Sequence, residues 1–311
     1  MSKIPLWLDC DTGTDDAVAI MTAHALDELE IVGISAMCGN TSQQNAFYNT
    51  HRICGLIGAN YPVYPGAESP LITKLNYGVA FHGENGLGDV ELPVPEDAVI
   101  NSEKGWDALY RTAMEYEGQL RLVATGPLTN LAIAFSKYPR LPQMLHSVLI
   151  MGGAASFGNV TPAAEFNIHA DPHAAQMVFK SGIKIYMFGL DVTLQEYFTD
   201  DDLNELEATG TKCGKFTHDC LQGAMKSLKK IGLPGVSIHD ACPVVYLVYP
   251  DMFKMEEAGV FIETQGKYTM GKTVTDLYSD RQFEEKNAYV GTYVDKDRYI
   301  ELLKNCIIQN G

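Results

Sequence analysis

The sequence predicts an α/β fold in which one open, mostly parallel sheet is covered by helices on both faces. Three observations predict it. Short apolar runs alternate with helix-compatible segments along most of the chain, the beat of strand–helix–strand units. The runs read as buried strands, as expected for a sheet with both faces covered. The chain has 311 residues, 46% apolar, 20% charged and 10% aromatic. That composition is globular, and at about this length roughly 75% of the unfolded surface can be buried without staples.

Ile4-Pro5-Leu6-Trp7-Leu8 reads as the first strand and stops at Asp9; Asp15 to His24 follows as a helix with Val18, Ile20 and Met21 apolar. Ile31 to Ser35 is the second strand. Asn40-Thr41-Ser42 then cap a helix to about Ile57, with Ala46, Phe47, Thr50, Ile53, Cys54 and Ile57 on one face. Trp106, Leu109, Tyr110 and Ala113 mark an amphipathic helix. Leu120 to Ala124 is a strand and Pro127 to Phe135 a helix with Pro in its first turn. Val148 to Met151 and Lys184 to Phe188 are further strands, with a helix between them starting at Asp171-Pro172. Pro65 to Glu96, rich in Gly and Pro, reads as a long functional loop. Three strand-like runs between Met255 and Val294 form a small C-terminal strand region, and Asp295 to Ile308 closes the chain as a helix. No composition shift or repeat interrupts this pattern, so residues 1–311 are expected to form a single domain.

Charge and composition exclude several classes. The net charge is -16, from 23 basic and 39 acidic residues, which disfavours nucleic acid and anionic membrane as partners. No run reaches the ~20 apolar residues of a membrane span. Met1-Ser2-Lys3 leads directly into a strand, which predicts no signal peptide. The seven cysteines are scattered without a Cys-x-x-Cys pair. Reduced thiols and a cytoplasmic location are therefore expected.

In parallel sheets, ligands bind beyond the carboxyl ends of the strands. That rule selects Asp9-Cys10-Asp11, Gly39-Asn40, Thr125-Gly126 and Met151-Gly152-Gly153, which should converge on one rim. Asp9 to Asp16 places four carboxylates within eight residues. Asp15 and Asp16 alone could simply cap a helix, but this leaves Asp9 and Asp11 crowding the same turn unexplained. Close carboxylates in a dry cleft must take up protons or share a cation. Oxygen ligands suit Ca²⁺ or Mg²⁺, though the spacing is not that of an EF-hand. No phosphate loop is present, and a polyol or sugar fits the set better. Asn159 to Asn167, read as an irregular stretch, adds amide and carboxylate side chains, and Ser237-Ile238-His239-Asp240 pairs an imidazole with a carboxylate. His169 and His173 are separated by a helix start, which argues against zinc. His24, His51, His146 and His218 read as surface or packing residues.

Together these segments resemble the nucleoside hydrolases, the inosine–uridine-preferring N-ribohydrolases. Asp9 to Asp16 matches their Asp-x-Asp-x-Gly-x-Asp-Asp signature, with Thr12 where many members have Pro. Cys38-Gly39-Asn40, Ala124 to Asn130, Met151-Gly152-Gly153, Asn159 to Asn167 and His239-Asp240 match in order and spacing. The resemblance implies the nucleoside hydrolase fold with its Rossmann-like core. It also implies one Ca²⁺ per chain, held by Asp11, Asp16, Asp240 and the Thr125 carbonyl, with ribose hydroxyls and a water completing the shell. Asp15 corresponds to the general base, and Asn40, Asn159, Glu165 and Asn167 to ribose-binding residues. Met151 lines the sugar pocket, His82 and Phe166 belong to the base side, and His239 stands by the leaving base. The implied partner is a small nucleoside, in a homo-oligomer (tetramer or dimer).

Two features bear on the base. Trp7 and Trp106 read as core residues, which argues against a tryptophan sandwich around a purine. With His82 and His239 as the remaining polar contacts, this favours the branch accepting pyrimidine nucleosides or inosine. Between Thr217 and Ile238, however, there is no Phe, Tyr or Trp where relatives place an aromatic. Two rival readings remain. A haloacid-dehalogenase-type phosphohydrolase also opens with strand-Asp-x-Asp, but its late acidic pair would have to be Gly189-Leu190-Asp191, which does not match. A non-catalytic nucleoside- or sugar-binding module would have no use for Asp15 beside the ligand set.

Overall fold

The computed structural model describes residues 2–74, 77–278, 280 and 282–311. Met1, Leu75 and Asn76 of the long loop, and Ser279 and Arg281 of the C-terminal region lie outside the described residues. The first half of the chain runs β1 (Ile4–Cys10), α1 (Thr14–Ala25), β2 (Leu29–Ala36), α2 (Gln43–Leu56), β3 (Val63–Pro65), α3 (Val79–His82), α4 (Gly105–Glu115), β4 (Arg121–Ala124), α5 (Thr129–Lys137), α6 (Leu141–Met144) and β5 (Ser147–Met151). The second half runs α7 (Phe166–Ala170), α8 (Pro172–Phe179), β6 (Ile185–Phe188), α9 (Leu190–Thr193), α10 (Asp200–Ala208), α11 (Lys212–Lys230), α12 (Ala241–Val248), β7 (Phe253–Ala258), β8 (Val260–Ile262), β9 (Thr273–Thr275), β10 (Ala288–Val294) and α13 (Lys296–Gln309).

Eight strands form one sheet in the order β3-β2-β1-β4-β5-β6-β10-β7, and β8 pairs with β9 in a separate two-stranded sheet. Every neighbour in the large sheet is parallel except β10 with β7. The two-residue period of a strand explains the double burial. Leu6 and Leu8 face one core with α1, α11, α12 and α13, while Trp7 between them faces the other with α4, α5 and α8. Val123 and Leu149 join the first core; Leu122, Ala124, Val148 and Ile150 join the second. The result is a single α/β domain.

Three expectations need correction. Helix α5 begins at Thr129 with Leu128 as its cap residue, so Pro127 lies in the preceding loop rather than the first turn. The C-terminal region holds four strands, not three, and β7 and β10 join the main sheet; only β8 and β9 form the small separate unit. The stretch from Asn159 to Asn167 is irregular only up to Glu165, where α7 begins. Among the described residues, no helix is long and apolar enough to cross a membrane.

Candidate active site

The loops after β1, β2, β4 and β5 meet at the carboxyl edge of the sheet, as the strand order requires. Asp15 and Asp16 fall in the first turn of α1, where the helix dipole favours negative charge. Asp16 Oδ2 accepts the Gly13 amide at 2.8 Å and Asn40 Nδ2 at 3.1 Å, and its Oδ1 accepts the Thr125 hydroxyl at 2.7 Å. Asp11 is fully buried; it accepts the Asn40 amide at 2.6 Å and Asn40 Nδ2 at 3.2 Å. Gly39 is required there, because a Cβ would lie 1.8 Å from Asp11 Oδ2. Asp240 is the cap residue of α12, yet its carboxylate caps nothing and lies beside that of Asp15.

Carboxylate oxygens of Asp15, Asp16 and Asp240 lie within 4.8 Å of one another. Burial, then repulsion from Asp16, holds Asp11 well above the ordinary carboxylate range, and burial with the neighbouring carboxylates does the same for Asp240. Asp16 and Asp15 are raised chiefly by burial as well, opposed in Asp15 by His239. Asp15 Oδ1 is buried with no hydrogen bond. Crowded, dry and partly unpaired, this all-oxygen set fits a hard divalent cation. Asp15 belongs to the three-residue group as closely as Asp16 does, whereas Asp11 adjoins it through Asn40.

Asp9 stands apart from this group. Its Oδ1 accepts Asn130 Nδ2 at 2.7 Å and the Ser35 hydroxyl, and Ser35 in turn accepts Trp7 Nε1 at 2.9 Å. This carboxylate ties β1 to β2 and to α5, and burial pushes it up to about 6.

Glu165 is the cap of α7. Its carboxylate accepts the amides of Gly153 at 2.8 Å, Asn167 at 2.9 Å and Ile168 at 3.1 Å. It thereby locks the loop after β5 to α7, and burial pushes it up to about 7 despite those amides. Asn167 Nδ2 then reaches the carbonyls of Thr125 at 2.7 Å and Met151 at 3.1 Å. Thr125, Met151, Glu165 and Asn167 are thus brought together with Asn40. Asn159 is exposed and, among the described residues, tied only to the Phe166 amide, at 2.9 Å; Phe166 itself is half-buried.

The two histidines arrive from different directions. His82, at the end of α3 in the long loop, accepts the Thr14 amide on Nδ1 at 3.2 Å, and that atom is 3.9 Å from Asp15 Oδ1. An accepting Nδ1 leaves the ring proton on Nε2; burial lowers this imidazole to about 4. Gly13 allows the approach, since a Cβ there would be 2.7 Å from both His82 Nδ1 and Asn40 Nδ2. His239 contacts the Thr193 hydroxyl through Nδ1 at 2.7 Å, and burial lowers it too.

Several supporting residues had no signal in the sequence. Buried Glu196 accepts the Ile238 amide at 3.0 Å. Asp171, read only as a helix start, also accepts the Leu71 amide and the Thr129 hydroxyl, both at 2.8 Å, and so anchors the long loop. Asp191 accepts the amides of Ala155 at 2.6 Å and Ser156 at 3.0 Å. It braces a loop, contrary to the role the phosphohydrolase reading needs. Trp7 is buried and stacked on Tyr64, and Trp106 packs half-buried on the same core. A second acidic group, Glu207, His218 and Asp219, lies on the surface, where Lys215 already pairs with Asp219 at 2.9 Å.

Comparison with known proteins agrees with this geometry. Residues 6–301 match the family model described as inosine-uridine preferring nucleoside hydrolase. The pyrimidine-specific ribonucleoside hydrolase RihA of Escherichia coli is 38% identical over 303 residues, covering 96% of this chain and 97% of its own. A solved purine-preferring ribonucleoside hydrolase from Gardnerella vaginalis superposes with a TM-score of 0.91 at 31% identity, covering 98% of both chains. A plant nucleoside hydrolase, the PpNRh1 enzyme, gives a TM-score of 0.91 at 29% identity, again over 98% of both chains. With a family match over nearly the whole chain and the sheet and its helices superposing on solved nucleoside hydrolases, this chain belongs to the inosine-uridine preferring nucleoside hydrolase family, enzymes that hydrolyse the N-glycosyl bond.

Proposed function

We propose that the chain hydrolyses ribonucleosides to ribose and free base with Ca²⁺ as cofactor, preferring pyrimidine nucleosides and inosine. The observation that carries this reading is the meeting of Asp15, Asp16 and Asp240 oxygens within 4.8 Å, beside Asn40 and Asn167. Asp11, Asp16, Asp240 and the Thr125 carbonyl would hold the ion, which when bound would orient the ribose diol and lower the pKa of a water.

The chain's own residues do the rest. Asp15 accepts the proton of the attacking water as its oxygen bonds to C1′; a buried carboxylate with a raised pKa suits that task. The C1′–N bond breaks with its electron pair passing to the base, through an oxocarbenium-like state. Asn40, Asn159, Glu165 and Asn167 hold the sugar and Met151 lines its pocket. The hydrogen bonds above hold these amide and carboxylate groups in place, so their oxygens stabilise the growing positive charge without reorganising. His82, Phe166 and His239 lie on the side of the base. The motifs that supply these residues contain no Lys or Arg, which favours nucleosides over nucleotides.

The pyrimidine preference is supported by the RihA relative and by the burial of both tryptophans. A cytoplasmic homo-oligomer, dimer or tetramer, completes the reading; all seven cysteines are free, as a reducing compartment requires. The test is kcat/KM for uridine, cytidine, inosine, adenosine and uridine 5′-phosphate, read as ribose and base released. Adenosine preferred by more than about tenfold, ~1.4 kcal/mol of discrimination, or equal efficiency on uridine and its 5′-phosphate, contradicts the assignment.

A further inference from the structure

His239 sits in a segment whose backbone is held from two sides. The chain from Thr193 to Phe198, leaving α9, runs beside 236–239. Phe198 bridges Val236, the Ser237 hydroxyl donates to the Glu196 carbonyl at 2.7 Å, and the Glu196 carboxylate accepts the Ile238 amide. From the other side, buried Tyr299 donates its hydroxyl to the Ile238 carbonyl at 2.9 Å. These contacts fix where His239 begins. They leave its ring free to rotate and its proton free to sit on either nitrogen.

Thr193 removes that freedom. It is fully buried, and the one hydrogen-bond partner of its hydroxyl among the described residues is His239 Nδ1, at 2.7 Å. Buried hydroxyls nearly always give their hydrogen to an acceptor. Here Nδ1 is the acceptor in reach, which leaves Nε2 as the ring nitrogen that donates. Among the described residues, no hydrogen bond engages Nε2.

We propose that Thr193 is a positioning residue that fixes the His239 ring with Nδ1 as acceptor and Nε2–H as donor, so that the imidazole gives a hydrogen bond to the departing base. Resting on the function proposed above, this deepens the part it assigns to His239. When the C1′–N bond breaks, the electron pair goes to the base, and the Nε2–H bond meets that charge without breaking. The released base takes its proton from solvent. His82 has the same tautomer, fixed by the Thr14 amide, so two Nε2–H donors serve one side of the site.

Two measurements test this. Long-range ¹H–¹⁵N spectra of histidine-labelled protein, with His239 assigned through His239→Gln, should show an unprotonated Nδ1 and a protonated Nε2; a protonated Nδ1 overturns the proposal. Kinetics should depend on the leaving group. Thr193→Val should lower kcat on uridine by about tenfold, the worth of one hydrogen bond. It should spare p-nitrophenyl β-D-riboside, whose leaving group departs as a stable anion, and Thr193→Ser should restore uridine turnover. An equal fall on both substrates means a general structural role and overturns the proposal, as does an unchanged rate on uridine. If the unmodified protein cleaves neither substrate, the hydrolase function itself is wrong and this inference falls with it; if it cleaves both and His239→Ala is normal on uridine, only the role of His239 fails.

Discussion

Gly39→Ala tests the acidic site without touching an ionisable group. The new Cβ would stand 1.8 Å from Asp11 Oδ2, 2.6 Å from Cγ and 2.8 Å from Cβ. Asp11 must therefore move by more than an ångström. It has no route to water, because it is fully buried, with Gly126 on another side placing a Cβ position 3.0 Å from Asp11 Cγ. Moving it breaks the 2.6 Å bond from the Asn40 amide; a hydrogen bond to a charged group is worth roughly 1.5–3 kcal/mol. Overpacking adds about 1–3 kcal/mol. In the metal-free protein, part of this is offset, since a displaced Asp11 is relieved of its repulsion from Asp16. In the metal-bound protein no such relief is available. The difference appears as lost Ca²⁺ affinity, at least tenfold, or ~1.4 kcal/mol. Calorimetric titration of Ca²⁺ and thermal unfolding with and without the ion measure it. Gly223→Ala is the control: nothing lies within 4 Å of a Cβ there, and alanine should stabilise α11 by about 0.5–1 kcal/mol. A Gly39→Ala protein that binds Ca²⁺ as tightly as its parent would refute the reasoning.

Other consequences follow from the same geometry. Asp15→Asn should lower turnover by roughly 10²–10⁴-fold, the range of a positioned base, while Asp11→Ala should weaken metal binding first; near-normal turnover in Asp15→Asn would assign the base elsewhere. Asp202 sits in the first turn of α10, accepts the Thr199 amide at 2.9 Å and hydroxyl at 2.6 Å, and pairs with Lys304 at 3.1 Å. Burial works against it, yet these contacts hold its carboxyl below the usual 3.8. A depressed pKa adds stability above the unfolded value that is lost as pH falls through the folded one. Asp202→Ala should therefore lose about 1 kcal/mol at pH 7 and converge with its parent once the pH has fallen below the folded-state value. A constant difference across that range would show that the charge is not the cause.

Much of this arrangement was legible in the sequence, for identifiable reasons. Strands buried on both faces are short apolar runs whatever they pair with, so β1, β2, β4, β5 and β6 could be read directly. Their carboxyl ends then selected the Asp9–Asp16, Asn40, Thr125 and Met151 loops by topology alone. Pairing between distant strands leaves no periodic trace, so the entry of β10 between β6 and β7 could not be read. Pro127 mimicked a helix start, but Gly126 packs against Asp11 and the helix waits until Thr129. In the site, the four-carboxylate crowding was visible, but not its division of labour. Asp9 and Asp11 are two residues apart, and only the structure separates a brace for Ser35 and Asn130 from a neighbour of Asp16. Thr193 and Glu196 escaped notice because a lone Thr or Glu after a strand has no signature until the segment carrying His239 is laid beside it.

The most direct test of the account measures metal content and bond cleavage on the same sample. Protein purified without chelator should carry about one equivalent of calcium per chain and release ribose and uracil from uridine in equal amounts. Exhaustive chelation should abolish both the calcium and the hydrolysis, and added Ca²⁺ should restore them together. Full activity after chelation, or zinc as the bound ion, would contradict the account.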